Sequence, residues 1–147
     1  DSEHIFCWLL DKIHQAFPQP PKDPQNLYSF IYEKRKYLHE FGVCNFLLSD
    51  GDVLMAHCSN KLQWVTRRAP FGPALLKDLD FSVDFAAETT PNDVVTVLAT
   101  EPLTTNEIWT VMLPGDMLVF KAGEIIAEFS ESITQDASAV VGQIEEG

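Results

Sequence analysis

The hydrophobic pattern of this chain changes its period once, close to Gly42. Before Gly42, apolar residues recur every three or four positions, which is the spacing of one face of an α-helix. After Gly42, short apolar runs of strand length alternate with turn residues such as Gly, Pro, Asn and Asp. Helices that precede a run of strands are typical of a segregated α+β fold. We therefore predict two helices followed by an antiparallel strand meander.

Two stretches upstream of Gly42 are predicted to be helices. The first begins at Asp1 or Ser2, which are both good N-cap residues, and it ends before Pro18. A connector over 18–24 (PQPPKDP) is too rich in proline to be helical. The second helix ends before Gly42, which can take the positive φ required after a helix. The apolar stripes consist of Phe6, Leu9, Leu10, Ile13 and Phe17 in the first helix, and of Leu27, Phe30, Ile31, Leu38 and Phe41 around the charged run 33–36 in the second.

The clearest strand signal is the Asp50-Gly51 pair between two apolar runs, because this dipeptide suits the tight turn of a β-hairpin. It predicts a hairpin of residues 43–48 and 52–58, with 62–68 pairing next. We expect the run 94–100 to be buried on both faces, since it is almost entirely apolar. Further strands are predicted at 81–85, 108–113, 117–122 and 124–129, and Pro70, Gly72 and Pro73 are expected to interrupt the sheet.

Charge and length limit the classes of protein to which the chain can belong. It carries a formal charge of −12, from 22 acidic and 10 basic residues among 147. This negative charge argues against nucleic acid or an anionic membrane surface as the partner. No apolar run approaches the ~20 residues of a membrane-spanning helix. We predict one domain, 1–129, followed by an acidic tail, 130–147, that we expect to be solvated and frayed.

The three cysteines, Cys7, Cys44 and Cys58, form neither a CxxC pair nor a disulfide framework, so we expect free thiols in the cytoplasm. Cys7 shares one stripe of the first helix with His4, Asp11 and His14. A rise of about 1.5 Å per residue separates Cys7 from His14 by about 10 Å, which is too far for a shared metal ion or a nucleophile–base pair.

Four residues on predicted strands are candidates for a functional role. His57 and Cys58 are neighbours on a predicted strand, so they point to opposite faces and cannot act as a dyad. Arg67 and Arg68 also lie on a strand, where one of the two points outward and could hold an acidic group. The alternative for that arginine is an ion pair with one of the many carboxylates of this acidic chain.

Several strings resemble, in order and spacing, the second half of the YafJ-like branch of the class II glutamine amidotransferases. Asp1-Ser2-Glu3 is similar to the TDSE or TDTE step that opens a helix midway through such domains. The resemblance runs from Asp1 to about Phe129 and leaves only the acidic tail outside. The other matching strings are NFLLSDG (45–51), WVTRRAPFGPA (64–74), TTPNDVVTVLATEPLT (89–104), NEIW (106–109) and MLPGD (112–116).

This resemblance implies an N-terminal-nucleophile hydrolase fold, a four-layer αββα sandwich of which the chain is one part. It implies hydrolysis of glutamine to glutamate and ammonia by an N-terminal cysteine, whose own α-amino group is the base, beside an Asn-Gly oxyanion hole. Those catalytic residues are expected upstream, and this chain contributes none of them.

The resemblance assigns one ligand contact to the chain itself. Asp1 matches the aspartate of the family that receives the α-ammonium of glutamine; the alternative is that Asp1 only caps its own helix. No metal or organic cofactor is implied. The implied partners are glutamine and the missing N-terminal half of the same domain, with neither nucleic acid nor a membrane.

Two other hypotheses stay open. A non-catalytic protein of the same fold would show no cysteine nucleophile in the full-length sequence. An acidic α+β module for protein interaction, unrelated to glutamine, would be stable as an isolated chain and would have no exposed sheet edge to be completed.

Overall fold

The computed structural model describes residues 2–77 and 90–131, together with the backbone of 82–84. The described residues divide into two compact units: those of Asp1–Cys44 with Phe129–Gly147, and those of Asn45–Glu128. No helix in the described part of the chain is long and apolar enough to span a membrane. The elements are α1 Ser2–Ala16, α2 Pro24–His39, β1 Phe46–Ser49, β2 Leu54–His57, β3 Gln63–Arg68, β4 Pro73–Leu75, β5 Ser82–Asp84, β6 Val94–Ala99, β7 Thr110–Val111, β8 Met117–Lys121 and β9 Glu124–Phe129.

The first unit is built on the two predicted helices. The aromatic rings of Trp8 and Tyr37 stack with their centroids 4.6 Å apart, and Phe17 meets Phe30 edge to face at 5.4 Å. These pairs join α1 to α2 through geometries that aromatic rings prefer. Among the described side chains of α1, Leu9 is the member of the predicted apolar stripe that is buried.

The start of α2 corrects the predicted connector, since Pro24 belongs to the helix rather than to 18–24. Asp23 is the N-cap, and its carboxylate accepts a hydrogen bond from the backbone N–H of Gln25 at 3.0 Å. A proline is well placed directly after an N-cap, because its missing N–H would have no partner inside the helix. Gly42 takes a φ of 126°, in agreement with its predicted role after the helix.

The buried face of α2 differs from the predicted stripe because it contains an arginine. Arg35 is only 4% exposed, although it lies in the charged run 33–36. Its guanidinium lies 3.7 Å from the centre of the Tyr32 ring and donates a hydrogen bond to the carboxylate of Glu131 at 3.0 Å. Phe41, predicted in the stripe, is 72% exposed. The buried residues of α2 are Tyr28, Ile31, Tyr32, Arg35 and Leu38.

The second unit contains the strands, all paired antiparallel, which confirms the α+β fold class. The predicted hairpin forms β1 and β2, with Phe46 opposite His57 and Ser49 opposite Leu54. Asp50 shapes the turn, because its carboxylate accepts hydrogen bonds from the backbone N–H groups of Asp52 and Val53, both at 2.9 Å. These two bonds, the one from Val53 first, lower the pKa of Asp50.

The strand β3 does not pair next to β2 as predicted, because it belongs to another sheet. The described sheets have the orders β1-β2-β8-β9, β6-β3-β7 and β4-β5. The first two sheets contribute to one hydrophobic cluster, in which Trp64 of β3 meets Phe120 of β8 with ring centres 6.2 Å apart. Crossing to a second sheet lets β3 bury its apolar face against the first sheet.

Two further strand predictions are corrected. The run 94–100 is not buried on both faces, since it forms β6 at the edge of its sheet and leaves Val95 44% exposed. Pro73 does not interrupt the structure but begins β4, a position that proline tolerates because the first residue of a strand need not donate. Residues 132–147 lie outside the described residues, so the tail 130–147 stays a prediction.

The turn between β8 and β9 brings backbone close to β6. Ala122 and Gly123 have φ values of 49° and 80°, as a two-residue hairpin turn requires. A Cβ atom added to Gly123 would lie 2.5 Å from the carbonyl oxygen of Val94. The carbonyl of Gly123 also accepts a hydrogen bond from the Thr96 hydroxyl at 2.6 Å.

Candidate functional site

Asp1, the residue expected to bind the α-ammonium of glutamine, lies outside the described residues. The helix α1 begins at the next residue, Ser2, and carries Glu3 in its first turn. Free backbone N–H groups and the helix dipole favour a carboxylate at such a position, whether it binds a ligand or only caps the helix. The role of Asp1 therefore stays a prediction.

The polar stripe of α1 is spread over the surface of the first unit. Cys7 is exposed, and the Asp11 carboxylate accepts a hydrogen bond from the amide of Gln15 at 2.7 Å. Within residues 2–77 and 90–131, no group of three or more His, Cys, Asp or Glu side chains is arranged to hold a metal ion.

His57 and Cys58 are both buried, and they have different surroundings. The Nδ1 atom of His57 lies 3.0 Å from the backbone oxygen of Asp116, and its ring packs against Phe46. Cys58 belongs to the hydrophobic cluster, and its thiol points to the backbone oxygen of Met112 at 3.7 Å. Burial raises the pKa of this thiol, so it is a poor nucleophile.

Both arginines of the Arg67-Arg68 pair are engaged within the chain. Arg67 binds both carboxylate oxygens of Glu107, at 2.6 and 2.7 Å, and both side chains are less than one-fifth exposed. Arg68 forms an exposed ion pair with Glu124. Of the two hypotheses from the sequence, the structure thus supports the ion pair.

The Arg67–Glu107 pair is the more exposed end of a chain of hydrogen bonds whose other members, Thr104 and Trp109, are buried. Thr104 donates its hydroxyl to Glu107 at 2.5 Å, and the indole N–H of Trp109 donates to Thr104 at 3.0 Å. The hydrogen bond from Arg67 is the main cause that lowers the pKa of Glu107, and the same bond raises the pKa of Arg67. The network therefore favours the charged form of both groups.

The same segment is tied to β4. The side chain of Asn106 accepts a hydrogen bond from the backbone N–H of Leu75 and donates one to the carbonyl of Pro73, both at 2.8 Å. Two of the strings that carry the family resemblance, WVTRRAPFGPA and NEIW, are thus held together by side-chain contacts. The sequence did not indicate these contacts, since nothing local marks Glu107 and Asn106 as partners of residues more than 30 positions away.

A second polar cluster surrounds Asn45, the first residue of the NFLLSDG string. Its amide oxygen accepts hydrogen bonds from the backbone N–H groups of Ser59 at 2.7 Å and Asn60 at 3.2 Å. Its amide nitrogen donates to the carbonyl of Lys61 at 3.0 Å. Asn45 thereby holds the loop that follows β2. The hydroxyl of Ser59 is buried there without a hydrogen-bond partner among the described residues.

Comparison with known proteins places these observations in context. A family model described as "Glutamine amidotransferases class-II" matches residues 1–143. "Putative glutamine amidotransferase YafJ" of Escherichia coli (strain K12) is 51% identical over 124 residues, which cover 84% of this chain and 49% of that protein. A relative from Haemophilus influenzae, with the same description apart from the name YafJ, is 40% identical over 128 residues, or 87% of this chain and 43% of that protein.

A solved structure shares the fold. The crystal structure of a "predicted glutamine amidotransferase from Pseudomonas aeruginosa PA01" matches with a TM-score of 0.76 and 51% sequence identity. The match covers 86% of this chain and 50% of that one. The chain thus spans about half the length of the relatives that it matches.

Proposed function

The chain belongs to the class II glutamine amidotransferases, and from this premise we propose that the complete protein releases ammonia from glutamine. The observation that carries the proposal is the family match over residues 1–143, which includes Asp1 and every element of the described structure. The relatives that the chain matches are about twice as long, so the remaining catalytic parts are assigned to a segment upstream of Asp1.

The proposed reaction is acyl transfer in two steps. The thiol of an N-terminal cysteine gives its proton to its own α-amino group and attacks the side-chain carbonyl carbon of glutamine. The C–N bond breaks, ammonia leaves, and a thioester remains, with the developing oxyanion stabilised by an Asn-Gly pair. Water then hydrolyses the thioester to glutamate and restores the thiol. No metal or organic cofactor takes part in either step.

Asp1 is the residue of this chain that we assign to the substrate. Its carboxylate would bind the α-ammonium of glutamine, because an ammonium in a partly closed pocket requires a partner of opposite charge. The cysteines in this chain are not assigned to the reaction. Cys7 lies within α1, so its backbone nitrogen is part of a peptide bond and cannot be the base, and Cys58 is buried in the hydrophobic cluster.

We further propose that the protein functions in the cytoplasm. All three cysteines are free thiols, which suits a reducing compartment.

The test is glutamine hydrolysis by the full-length protein with Asp1→Ala and Asp1→Asn. Breaking the charge pair costs about 2–5 kcal/mol, so kcat/KM should fall by roughly 30-fold to several thousand-fold. Asp1→Asn should lose nearly as much, because the amide keeps the shape but not the charge. Glu3→Gln is the matched control, since it removes a carboxylate from the first turn of the same helix and should keep kcat/KM within about threefold.

Two outcomes would contradict the proposal. If Asp1 only caps α1, its removal should cost about 1 kcal/mol of stability and leave kcat/KM within about threefold of the wild type. If the wild-type full-length protein releases no ammonia from glutamine, the non-catalytic alternative is favoured.

A further inference from the structure

The helix α1, which directly follows Asp1 in the sequence, meets α2 through ring contacts at two separated points. Near its start, the rings of Trp8 and Tyr37 stack with an interplanar angle of 20° and their centroids 4.6 Å apart. Just past its end, Phe17 meets Phe30 edge to face. Trp8 follows position 1 by about 10 Å along a helix axis, and Phe17 follows it by about 24 Å. The Trp8–Tyr37 stack is therefore the ring contact nearer to Asp1.

Beside this stack, the two helices leave a cavity of about 360 Å³. It lies toward the start of α1 and the end of α2, since it is lined by His4, Ile5 and Trp8 and by Tyr37, Leu38 and Phe41. The lining positions of α1 follow position 1 by three, four and seven residues, which is the spacing of one helix face. The face of α1 in line with position 1 is thus the face that meets α2, across open space in the first turn and in ring contact at Trp8.

The first turn of α1 has little packing of its own. Residues 2–4 are exposed, and Ile5 is half-buried. Among the described residues of α1, the buried one is Leu9, which directly follows Trp8. The cavity on one side and solvent on the other leave the first turn room to shift. Its position relative to α2 therefore depends on how firmly the helix is held at Trp8 and Leu9.

A shift of this turn would move the residue that precedes it. The attraction between two charges falls as they separate, and a displacement of about 1 Å in a site of fixed geometry can cost about 100-fold in rate. Stacked aromatic rings favour one relative placement, because both contact and orientation are lost when they slide or tilt. The stack is thus suited to fix the start of α1.

We propose that Trp8 and Tyr37 are positioning residues for Asp1, because their stack holds the start of α1 where the Asp1 carboxylate meets the α-ammonium of glutamine. This inference rests on the proposed function, which assigns that ammonium to Asp1. Neither ring is assigned a contact with the substrate or a chemical step. The stack acts through the position of α1, so its loss weakens the same ion pair in the ground state and in the transition state.

Steady-state hydrolysis of glutamine by the full-length protein with Tyr37→Leu tests the stack. Tyr37 is 44% exposed, so the variant leaves the buried residues of α2 in place. We expect KM for glutamine to rise by about 5- to 20-fold and kcat to stay within about twofold, because both states lose the same interaction. Tyr37→Phe keeps the ring and should hold KM within about twofold of the wild type.

Phe30→Leu is the matched control at the far end of α1, since it removes the Phe17–Phe30 contact from the same helix, α2. Each of the two rings also has a nearby neighbour, Lys34 over Phe30 and Phe41 against Tyr37. We expect both leucine variants to lower the melting temperature, and Phe30→Leu to hold KM within about twofold. Equal KM values in the two variants would overturn the proposal, because the stack would then contribute only to stability.

A double-mutant cycle shows whether the stack acts through Asp1. If it does, adding Tyr37→Leu to Asp1→Asn should lower kcat/KM by less than about twofold, because the contact with the ammonium is already lost. Losses that multiply in the double variant would show that Tyr37 acts elsewhere, and they would refute the positioning role.

Binding of L-glutamate, which carries the same α-ammonium, separates this inference from the proposed function. Calorimetry on the full-length protein should give a Kd about 5- to 20-fold weaker for Tyr37→Leu and within about twofold of the wild type for Phe30→Leu. A protein with this pattern but without glutamine hydrolysis refutes the proposed function alone. An active protein whose two leucine variants bind glutamate equally refutes the positioning role alone. A wild type that neither binds glutamate nor hydrolyses glutamine refutes both.

Discussion

Substituting Gly123 by alanine should destabilise the protein through one close backbone contact. Gly123 occupies the turn between β8 and β9 with a φ of 80°, which L-residues rarely adopt. The added Cβ would also lie 2.5 Å from the carbonyl oxygen and 2.8 Å from the carbonyl carbon of Val94. Since both are backbone atoms of β6, the clash cannot be relieved by a side-chain rotation.

The expected cost has two parts. A non-glycine residue at positive φ costs about 1–2 kcal/mol. Forcing an extra methyl against fixed backbone costs about 1–3 kcal/mol more, because the turn or β6 must move. Movement also strains the hydrogen bond from Thr96 to the carbonyl of Gly123. We therefore expect Gly123→Ala to lose about 2–5 kcal/mol of unfolding free energy.

The control is Gly51→Ala, in the turn between β1 and β2. Gly51 has a φ of 94°, and a Cβ added there would meet nothing within 4 Å. It therefore carries the conformational cost alone, about 1–2 kcal/mol. Urea unfolding of the full-length protein should show Gly123→Ala as the more destabilised variant by about 1–3 kcal/mol. Equal losses in the two variants would refute the close contact between the turn and β6.

Three further predictions concern Glu107, Ser59 and the reactivity of the cysteines. Glu107→Gln should cost about 2 kcal/mol at neutral pH, because Arg67 loses its counter-charge. Since the pKa of Glu107 is lowered in the folded state, its contribution is present above the unfolded pKa and is lost as pH falls through the folded pKa. Urea melts should thus show the wild type and the variant converging in acid, and a gap that persists there would contradict the assignment. Ser59→Ala should leave the melting temperature unchanged or raise it slightly, because the buried hydroxyl has no hydrogen-bond partner among the described residues, and a loss of about 1 kcal/mol or more in thermal melts would contradict this. In a thiol titration, Cys7 should react at once and Cys58 only after denaturation, so rapid modification of Cys58 in the native protein would contradict its burial.

Local signals in the sequence predicted much of the fold. The Asp50-Gly51 turn predicted the first hairpin, and the short run 124–129 between turn residues predicted the bounds of β9, because both signals are local in the sequence. The apolar run of β6 was interpreted as buried on both faces. An apolar composition alone does not distinguish a strand in the interior of a sheet from a strand at its edge.

The polar interactions could not be predicted in the same way. Arg35 and its partner Glu131 are 96 positions apart, and Arg67 and Glu107 are 40 apart. No periodicity joins such residues, since their contact depends on how the elements pack. For the candidate site, the predicted role of Asp1 comes only from the family resemblance, because a carboxylate at a helix start is equally suited to capping.

The hydrogen bonds of the first hairpin turn also bear on the chemical lifetime of the protein. An aspartate followed by glycine isomerises when the glycine nitrogen attacks the side-chain carbonyl carbon and forms a cyclic imide. In the folded chain the Gly51 N–H donates to the Ser49 hydroxyl at 3.1 Å, while Asp50 is held as a carboxylate by Asp52 and Val53. Both reacting groups are thus occupied and fixed. We expect Asp50 to age slowly in the native protein and quickly in unfolded chains, so isoaspartate at this position would record how long a molecule has been unfolded.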